Sequence, residues 1–397
     1  MKLPDATWRK RTGMPRLLRA LGAGEGETRF VGGCVRDTLL GLPVSDVDLA
    51  TRLTPEEVAK RLAKAGIKAV PTGIAHGTIT AVIGGAPVEV TTLRRDVATD
   101  GRRATVAFTE DWREDAARRD STINALFADP VSGQVADYFG GVADLKARRV
   151  RFIGEPLQRI AEDHLRILRF FRFHARFGTG EPDAAALAAC AARANDLMAL
   201  SRERIADELL KLLGLADPAP TVALMVEQGI LKPVLPEIRS ADRLAGLIAA
   251  EREAGIAPEP VRRLAALLPA DPEAAAAVAA RLRLSKRAAR RLVSAAERAL
   301  DSPEALAYRI GTAEAIDRFL LNGAPPPDLR ALEQWKRPRL AVGGGDLIAM
   351  GLKAGPVVAA TLQAIERDWA AAGFPADAQE VRALARRHVD QALRSSQ

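Results

Sequence analysis

The chain has 397 residues, and its 58 lysines and arginines outnumber its 50 aspartates and glutamates to give a formal net charge of +8. This length predicts more than one domain, and the positive charge favours a polyanionic partner such as a nucleic acid. The sequence has no signal-peptide pattern and no apolar run of about 18 residues, and its two cysteines are too few for a disulfide framework. Composition therefore predicts a cytoplasmic protein with no membrane association, and it does not point to any protein partner.

Strand-like segments are confined to roughly the first 150 residues. "TRFVGGCV" predicts a short strand that enters a glycine turn, a helix up to Gly41 follows, and "SDVDLAT" predicts the next strand. Thr54 and Pro55 are typical of a helix start, and Gly66 is typical of its end. "HGTITAVIGG" and "APVEVTTL" are Thr- and Val-rich runs separated by two glycines, which indicates a β-hairpin.

Further along, residues 94–115 are rich in charge and contain Asp100-Gly101, which predicts a mobile excursion. Segment 116–129 has a helix-like pattern, 133–154 is expected to be a β-rich corner, and the chain is helical from Pro156 onward. We therefore expect an α+β fold, with a small mixed-sheet head followed by an all-α neck, body and tail. The predicted domains are the head at 1–150, the neck at 151–220, and the body and tail at 221–397.

Asp46 and Asp48 are two residues apart in a predicted strand, so we expect their side chains on one face, about 7 Å apart along the chain. Mg²⁺ prefers one or two carboxylates together with phosphate oxygens of a substrate, and this pair would supply the carboxylates. Such a site can activate a hydroxyl and stabilise a leaving pyrophosphate. Glu89 is a charged residue in an otherwise apolar and Thr-rich strand, and it either supplies a third carboxylate or faces solvent at a sheet edge.

Gly32, Gly33 and Arg36 directly precede this carboxylate pair. The two glycines allow the backbone to approach a bulky anion closely, and the guanidinium can fork onto a triphosphate. The alternative is a tight turn between a strand and a helix, with an exposed arginine. The combination with the Asp pair favours a nucleotide-binding role.

Arg119, Asp120 and Asn124 form a third polar group. If segment 116–129 is a helix, Asp120 and Asn124 lie four residues apart on one face, where they can hydrogen-bond a sugar hydroxyl. Arg119 can then reach phosphates. A solvated helix start is the alternative.

Asp163, Arg166, Arg169 and Arg172 recur every three residues in "RIAEDHLRILRFFRFHARFG", which predicts one inclined row on a helix. An aspartate beside an arginine presents an acceptor next to a donor fork, and this complements one edge of cytosine and of adenine. Uracil and guanine present the inverted pattern and would be rejected. The alternative is a basic helix face with one Asp–Arg pair inside the helix.

Taken in order, these segments resemble the class II nucleotidyltransferases of the polymerase-β superfamily, a group that contains tRNA nucleotidyltransferases (CCA-adding enzymes) and bacterial poly(A) polymerases. The resemblance covers residues 29 to about 213, and it is weaker beyond about residue 220. It lies in "GGCVRDTLLG" with "SDVDLAT", in "RRDSTINAL", in "DYFGGVADL", in "EDHLRILRFFRF" and in "SRERIADELLKLL". It implies template-independent addition of nucleotides to an RNA 3′ end, with Mg²⁺ as cofactor and tRNA, CTP and ATP as partners.

The resemblance also assigns roles to the site residues. It implies metal ligation by Asp46 and Asp48. The implied nucleotide contacts are Gly33 and Arg36, then Arg119, Asp120 and Asn124 around the ribose and phosphates, and Asp163, Arg166, Arg169 and Arg172 on the base and triphosphate.

Three functions remain open at this point. The full-length segment 94–115 implies that adenosine can be added, which argues against an enzyme that adds only cytidines. A poly(A) polymerase shares the same head and neck, and CCA addition is favoured over it because the tail is expected to be Arg- and Ala-rich, compact and free of a long basic extension. A catalytically silent RNA-binding protein is disfavoured, because gripping RNA requires positive charge rather than clustered carboxylates. The basic segment 281–300 is a candidate for gripping RNA phosphates, and a solvated helix face is its alternative.

Overall fold

The computed structural model describes residues 1–99, 104–323 and 325–395 of the chain. They belong to two compact units, Met1–Pro236 and Glu237–Gln397. Every strand within the described residues lies in the first unit, and the elements of the second unit are helices. The α+β class is therefore confirmed, whereas the division into head, neck, body and tail stays a prediction.

The sheet of the first unit is mixed. The strands of the unit are β1 (Thr28–Val31), β2 (Asp48–Thr51), β3 (Lys68–Gly73), β4 (Thr78–Ile83), β5 (Ala86–Thr92), β6 (Arg94–Thr99), β7 (Ala104–Phe108), β8 (Leu126–Ala128) and β9 (Val135–Asp137). Strands β6 and β7 form a separate pair. In the described chain the main sheet has the order β3-β4-β5-β2-β1-β8-β9. Strands β2 and β5 run parallel, and the other neighbours run antiparallel. This order places β2 and β5 side by side at the centre.

Helices cover this sheet and continue beyond it. They are α1 (Met14–Ala20), α2 (Gly33–Leu39), α3 (Pro55–Lys64), α4 (Trp112–Ala117), α5 (Gly141–Lys146), α6 (Pro156–Glu162), α7 (Arg166–Phe177), α8 (Ala184–Ala192), α9 (Arg202–Leu213) and α10 (Ala219–Glu227). The predicted start of α3 is confirmed, because the Thr54 hydroxyl accepts a hydrogen bond from the Glu57 amide at 3.4 Å. The predicted hairpin across the two glycines is also confirmed as β4 and β5.

Residues 94–115 are more regular than the predicted mobile excursion. Strands β6 and β7 pair antiparallel, with Arg94 opposite Phe108, and α4 follows with the Asp111 carboxylate accepting from the Arg113 amide at its start. An Asp-Gly dipeptide between two β-prone runs predicts a hairpin, and this signal outweighs the high charge of the segment, which is typical of a loop. Asp100-Gly101 itself lies outside the described residues.

Segment 116–129 is not a helix, contrary to the prediction. Helix α4 ends at Ala117, a single 3₁₀ turn covers Thr122–Asn124, and β8 begins two residues later. The apolar run Leu126–Ala128 is fully buried and pairs with β1 and β9, so sheet pairing overrides the helix-like pattern. Segment 133–154, predicted to be a β-rich corner, contains the short strand β9, but its longest regular element is the helix α5.

The second unit consists of a series of helices. They are α11 (Asp242–Glu253), α12 (Pro260–Leu267), α13 (Pro272–Arg281), α14 (Lys286–Glu297), α15 (Pro303–Ile310), α16 (Thr312–Leu321), α17 (Gly344–Ala349), α18 (Pro356–Ala371) and α19 (Ala378–Arg394). Ion pairs join α11, α12 and α16 in the interior, where Glu251 and Asp317 both bind Arg262. Among the described helices, none has both the length and the apolar character required to cross a membrane.

Candidate active site

A cavity of about 510 Å³ opens within the first unit, between the head sheet and α7. It is lined by every residue that the sequence predicts for the site except Glu89. The lining is strongly polar, because seven arginines and five aspartates face it. Residues more than 100 positions apart in sequence therefore meet in one pocket.

The glycine turn forms one wall of this cavity. Gly32 has φ 71° and ψ −124°, a backbone conformation that strongly favours glycine, and its amide donates to the Leu126 carbonyl at 3.0 Å. A Cβ atom at Gly32 would lie 3.6 Å from the Arg119 guanidinium and from the Asn124 carbonyl oxygen. The turn thus brings the backbone at Gly32 close to the polar groups of Arg119 and Asn124, which precede β8.

Arg36 is buried rather than exposed, so the sequence alternative of a solvated arginine is wrong. Its Nε donates to Asp37 at 2.7 Å, another guanidinium nitrogen donates to the Asn124 side-chain oxygen, and the group lies 4.1 Å from the Phe177 ring centroid. Burial lowers the pKa of Arg36, and Asp37 acts in the opposite direction. The guanidinium is therefore held in one orientation at the cavity wall.

The two carboxylates do not share one strand face as predicted. Strand β1 ends where Gly32 turns away, so its pairing with β2 begins at Asp48, and Asp46 lies in the preceding loop. The Asp46 carboxylate is exposed and accepts from the Ser45 hydroxyl at 2.8 Å. Both carboxylates still line the cavity.

Glu89 lies beside Asp48 because β2 and β5 are parallel neighbours, with these two residues in register. Strand β5 is internal to the sheet, so Glu89 is not at a sheet edge, but its side chain is exposed to solvent as the alternative expected. Burial and, after it, the negative charges of Glu89 and Asp46 raise the pKa of Asp48 to about 6, with Arg119 acting in the opposite direction. Negative charge is thus concentrated where a divalent cation would relieve it.

These carboxylates fit a metal that is completed by substrate. In the described part of the chain, no group of three or more His, Cys, Asp or Glu side chains forms a preassembled metal cage. Mg²⁺ is commonly held by one or two carboxylates plus substrate phosphate oxygens, so Asp46 and Asp48 match that donor set.

Asp120 and Asn124 meet through a turn instead of a helix face. The Asn124 amide nitrogen donates to Asp120 at 3.0 Å, and Arg169 of α7 donates to the other Asp120 oxygen at 2.6 Å. Burial alone would raise the pKa of Asp120, but Arg169 and Asn124 hold it well below its usual range. Arg119 is fixed by Asp115, to which it donates at 2.9 and 3.2 Å.

Asp163 is not on the predicted helical row. It lies in the extended link between α6 and α7, and its carboxylate accepts from the Leu165 amide two residues later at 3.1 Å, a local turn contact that aspartate favours over a helix interior. The Asp163 carboxylate pairs with Arg204 of α9 at 2.8 Å. The regular spacing therefore holds only for the three arginines of α7.

Arg166 is buried, with its guanidinium held by backbone. It donates to the carbonyls of Arg118 and Arg159, both at 2.9 Å, and to the Glu162 carboxylate. These contacts use only part of its five donors. The side chains of Arg166 and Asp163 are thus each oriented by other groups, and the two residues contact each other only where the Arg166 amide donates to the Asp163 carbonyl at 3.0 Å.

Arg169 and Arg172 share a partner on α9. The buried Glu208 carboxylate accepts from Arg172 at 2.6 Å and lies 3.5 Å from Arg169. Because Arg169 also binds Asp120, this one arginine of α7 connects the loop before β8 to α9. Sequence reasoning missed Glu208 and Arg204, since neither has a local pattern that marks it.

Sequence reasoning also missed further residues on the cavity wall. Asp37 binds both Arg36 and Arg176, the latter at 3.2 Å, so a single carboxylate holds two cavity guanidinia. Arg176 follows Arg172 by four residues and Arg169 by seven. Extending the α7 row at helical spacing would have found it. The other lining residues absent from the prediction are Ser45, Arg118 and Phe173.

A central sheet with carboxylates on neighbouring strands, a glycine turn and an arginine-lined cavity defines a nucleotidyltransferase head. Residues 28–151 match the family described as Poly A polymerase head domain, and residues 181–242 match the one described as probable RNA and SrmB- binding site of polymerase A.

Individual proteins agree with this class. The chain is 34% identical to a Mus musculus protein named CCA tRNA nucleotidyltransferase 1, mitochondrial, over 89% of this chain and 85% of that protein. It is 45% identical to a CCA-adding enzyme of Oceanobacillus iheyensis over 47% of this chain and 46% of that protein. The solved Bacillus stearothermophilus CCA-adding enzyme in complex with CTP superposes with a TM-score of 0.71 at 26% identity, covering 96% of this chain and 99% of that one. The chain belongs to the family of class II CCA-adding enzymes and poly(A) polymerases.

Proposed function

We propose that the chain adds the nucleotides C, C and A to the 3′ end of tRNA, using CTP and ATP and releasing pyrophosphate. The observation that carries this function is the single cavity that unites the carboxylates of Asp46 and Asp48 with seven arginines. Guanidinium groups bind triphosphates in forked geometry, and paired carboxylates are the ligands that phosphoryl chemistry requires. The relatives named for CCA addition support the same reaction.

The reaction forms one bond and breaks another. The oxygen of the RNA 3′-hydroxyl bonds to the α-phosphorus of the nucleotide, its proton leaves, and the bond from that phosphorus to pyrophosphate breaks. Proteins of this class use a divalent metal, which we take to be Mg²⁺, and when bound it lowers the pKa of the attacking hydroxyl and neutralises phosphate charge. Asp46 and Asp48 would hold it, and Glu89 places a third carboxylate beside Asp48.

The remaining cavity residues bind and orient the nucleotide. Arg36 and Arg176, both held by Asp37, direct positive charge toward the triphosphate. Asp120 and Asn124 provide an acceptor and an amide for the ribose, next to Arg119. Gly32 and Gly33 keep the turn free of side chains, so the nucleotide can approach the backbone.

Base choice falls to the groups at the start of α7. Asp163 supplies an acceptor, and Arg166 retains donors beyond those used by its backbone contacts, which together match the amine edge of cytosine and of adenine. Arg204 donates to the Asp163 carboxylate and so fixes the position of this acceptor. Arg169 and Arg172, held by Glu208, then lie toward the phosphates.

The helical second unit would contribute to RNA binding. On α14, Lys286, Arg287 and Arg290 are exposed and form no ion pair within the described residues, so they are available to RNA phosphates. Two arginines of the basic segment 281–300 already have ion-pair partners, because Arg281 pairs with Glu237 and Arg291 pairs with Asp317.

The domain roles and the location of the protein belong to the same proposal. We assign catalysis to residues 1–150, base selection to 151–220 and RNA binding to 221–397. A cytoplasmic location fits the two cysteines, which are free and buried. Burial raises the pKa of Cys34 to about 12, as expected for a packing residue and not for a nucleophile.

The proposal is tested by incubating the full chain with tRNA transcripts that end before CCA, after C and after CC, each with one labelled nucleotide. We expect CTP to label the first two transcripts and ATP to label the third, with UTP and GTP inactive. Labelling of all three transcripts by ATP alone would instead identify a poly(A) polymerase. No labelling under any condition would identify a silent RNA-binding protein.

A further inference from the structure

The second unit contains an aromatic cluster that the proposed reaction does not use. Phe374 packs against Trp369, Tyr308 and Trp335, with ring centroids 5.0, 5.3 and 5.7 Å away. Trp369 and Tyr308 are buried, whereas Trp335 and Phe374 are only partly covered. The cluster thus has a packed side and an accessible side.

A cavity of about 350 Å³ lies on the accessible side. Trp335 and Phe374 line it together with Lys336 and Glu304. Its walls therefore combine flat aromatic surface, one ammonium and one carboxylate.

The backbone holds the Phe374 ring toward this cavity at a conformational cost. Gly373 and Phe374 both have positive φ, 77° and 58°, and a bulky side chain rarely adopts this conformation. The Phe374 amide donates to the Trp369 carbonyl at 3.0 Å, and the Trp369 indole donates to the Pro375 carbonyl at 2.9 Å. Strain of this kind persists where the surroundings over-determine it, and it is frequent at ligand-binding sites.

The chain around Trp335 is positively charged. Residues 335–339 read "WKRPR", and the Arg337 guanidinium stacks 4.3 Å from the Tyr308 ring centroid. Lys336 and Arg339 are exposed and have no ion-pair partner within the described chain. This charge is complementary to phosphate groups on whatever enters the cavity.

We propose that this cavity binds one unstacked base of the tRNA substrate, from a region of the RNA that is not paired. Proteins bind such bases by stacking them on aromatic rings while cations hold the adjacent phosphates. Glu304 can accept a hydrogen bond from the amine of a base. A free nucleoside triphosphate is a poorer match, because among the described residues Lys336 is the single cation that lines the cavity. This inference rests on the proposed function only in taking tRNA as the partner.

The experiment measures the affinity of the full chain for tRNA that lacks CCA, in the wild type and in three variants. Trp335→Leu removes the stacking surface, Trp335→Phe retains an aromatic ring, and Lys336→Gln removes the cation. Lys353→Gln is the matched control, because Lys353 is an exposed lysine outside the cavity. The thermal midpoint of each variant shows whether it is folded.

We expect Trp335→Leu and Lys336→Gln each to weaken tRNA binding by about five- to tenfold. Trp335→Phe and Lys353→Gln should remain within about twofold of the wild type, and KM for CTP should not change. On a two-strand duplex that carries the same 3′ end but no loops, all of these proteins should bind equally.

Two results would overturn the inference. One is wild-type tRNA affinity in folded Trp335→Leu and Lys336→Gln proteins. The other is an equal loss of affinity for tRNA and for the duplex, which would indicate phosphate contact without a base. Failure of the proposed function is distinguishable, because it appears in the wild type as absence of nucleotide incorporation.

Discussion

Asp120 in the loop before β8 accepts a 2.6 Å hydrogen bond from Arg169 of α7. This bond ties the head sheet to the helix that supplies most of the cavity arginines. Burial by itself would raise the pKa of Asp120. The charge of Arg169 and the hydrogen bonds from Arg169 and Asn124 lower it by more, so the pKa of Asp120 lies below its usual value. A carboxyl with a lowered pKa stabilises the fold above about pH 3.9, and that stability is lost as the pH falls toward the folded-state pKa.

Replacement of Asp120 with Asn should therefore destabilise the protein by about 1–3 kcal/mol near neutral pH. The difference in thermal midpoint from the wild type should be full at pH 6 and shrink toward pH 3. Calorimetry across this pH range provides the measurement. A difference that grows as the pH falls would show that the ion pair does not stabilise the fold.

Replacement of Asp46 or Asp48 with Ala should abolish nucleotide incorporation while tRNA affinity stays within a few-fold. The reason is that the carboxylates serve the chemistry, whereas basic surface binds the RNA. Single-turnover assays and filter binding measure the two properties separately. Asp207→Ala is the control, because Asp207 is an exposed carboxylate on α9. Retained turnover in both single variants would remove the catalytic assignment.

Asp163→Ala and Arg166→Ala should each reduce discrimination against UTP and GTP as well as slow the reaction. Arg204→Gln should reduce discrimination too, since Arg204 positions the Asp163 carboxylate through bonds of 2.8 and 3.1 Å. The measurement is kcat/KM for each of the four nucleotides. Lys211→Gln on the exposed face of α9 is the control. Equal slowing with all nucleotides would assign these residues to structure alone.

Shortening residues 98–105 should leave addition of the two cytidines largely intact and remove addition of the terminal adenosine. One site must accept C twice and then A, and an element beside the site can reshape it without supplying metal ligands. The segment contains the end of β6 and the start of β7. Product lengths on a denaturing gel give the result, with a Gly-Ser replacement of equal length as control. Equal loss of C and A would show that the segment serves the fold.

Local signals in the sequence predict local structure well in this chain. Thr54 and Pro55 mark the start of α3, and the two glycines mark the hairpin of β4 and β5, because capping and turn chemistry act over a few residues. The helix predicted across 116–129 is wrong because burial of Leu126–Ala128 against neighbouring strands outweighs local propensity. Periodicity cannot reveal pairing between distant strands.

The candidate site shows the same division. The carboxylates, the glycine turn and the arginines of α7 stand out in sequence by residue type and spacing. Their partners do not, because Glu208 and Arg204 reach the site only through packing of α9 on α7. Asp163 illustrates the limit most clearly, since an apparently regular spacing conceals a break between two helices.

The most direct test of the proposed reaction is to sequence the 3′ ends produced from a tRNA pool that lacks CCA, incubated with all four nucleotides at equal concentration. Because one cavity selects for the amine edge of the base and then stops, we expect molecules that end in C, CC and CCA, with CCA accumulating and no further addition. Asp48→Ala should leave the ends unchanged. Homopolymeric adenosine tails, or ends with random incorporation, would contradict CCA addition as the function of this chain.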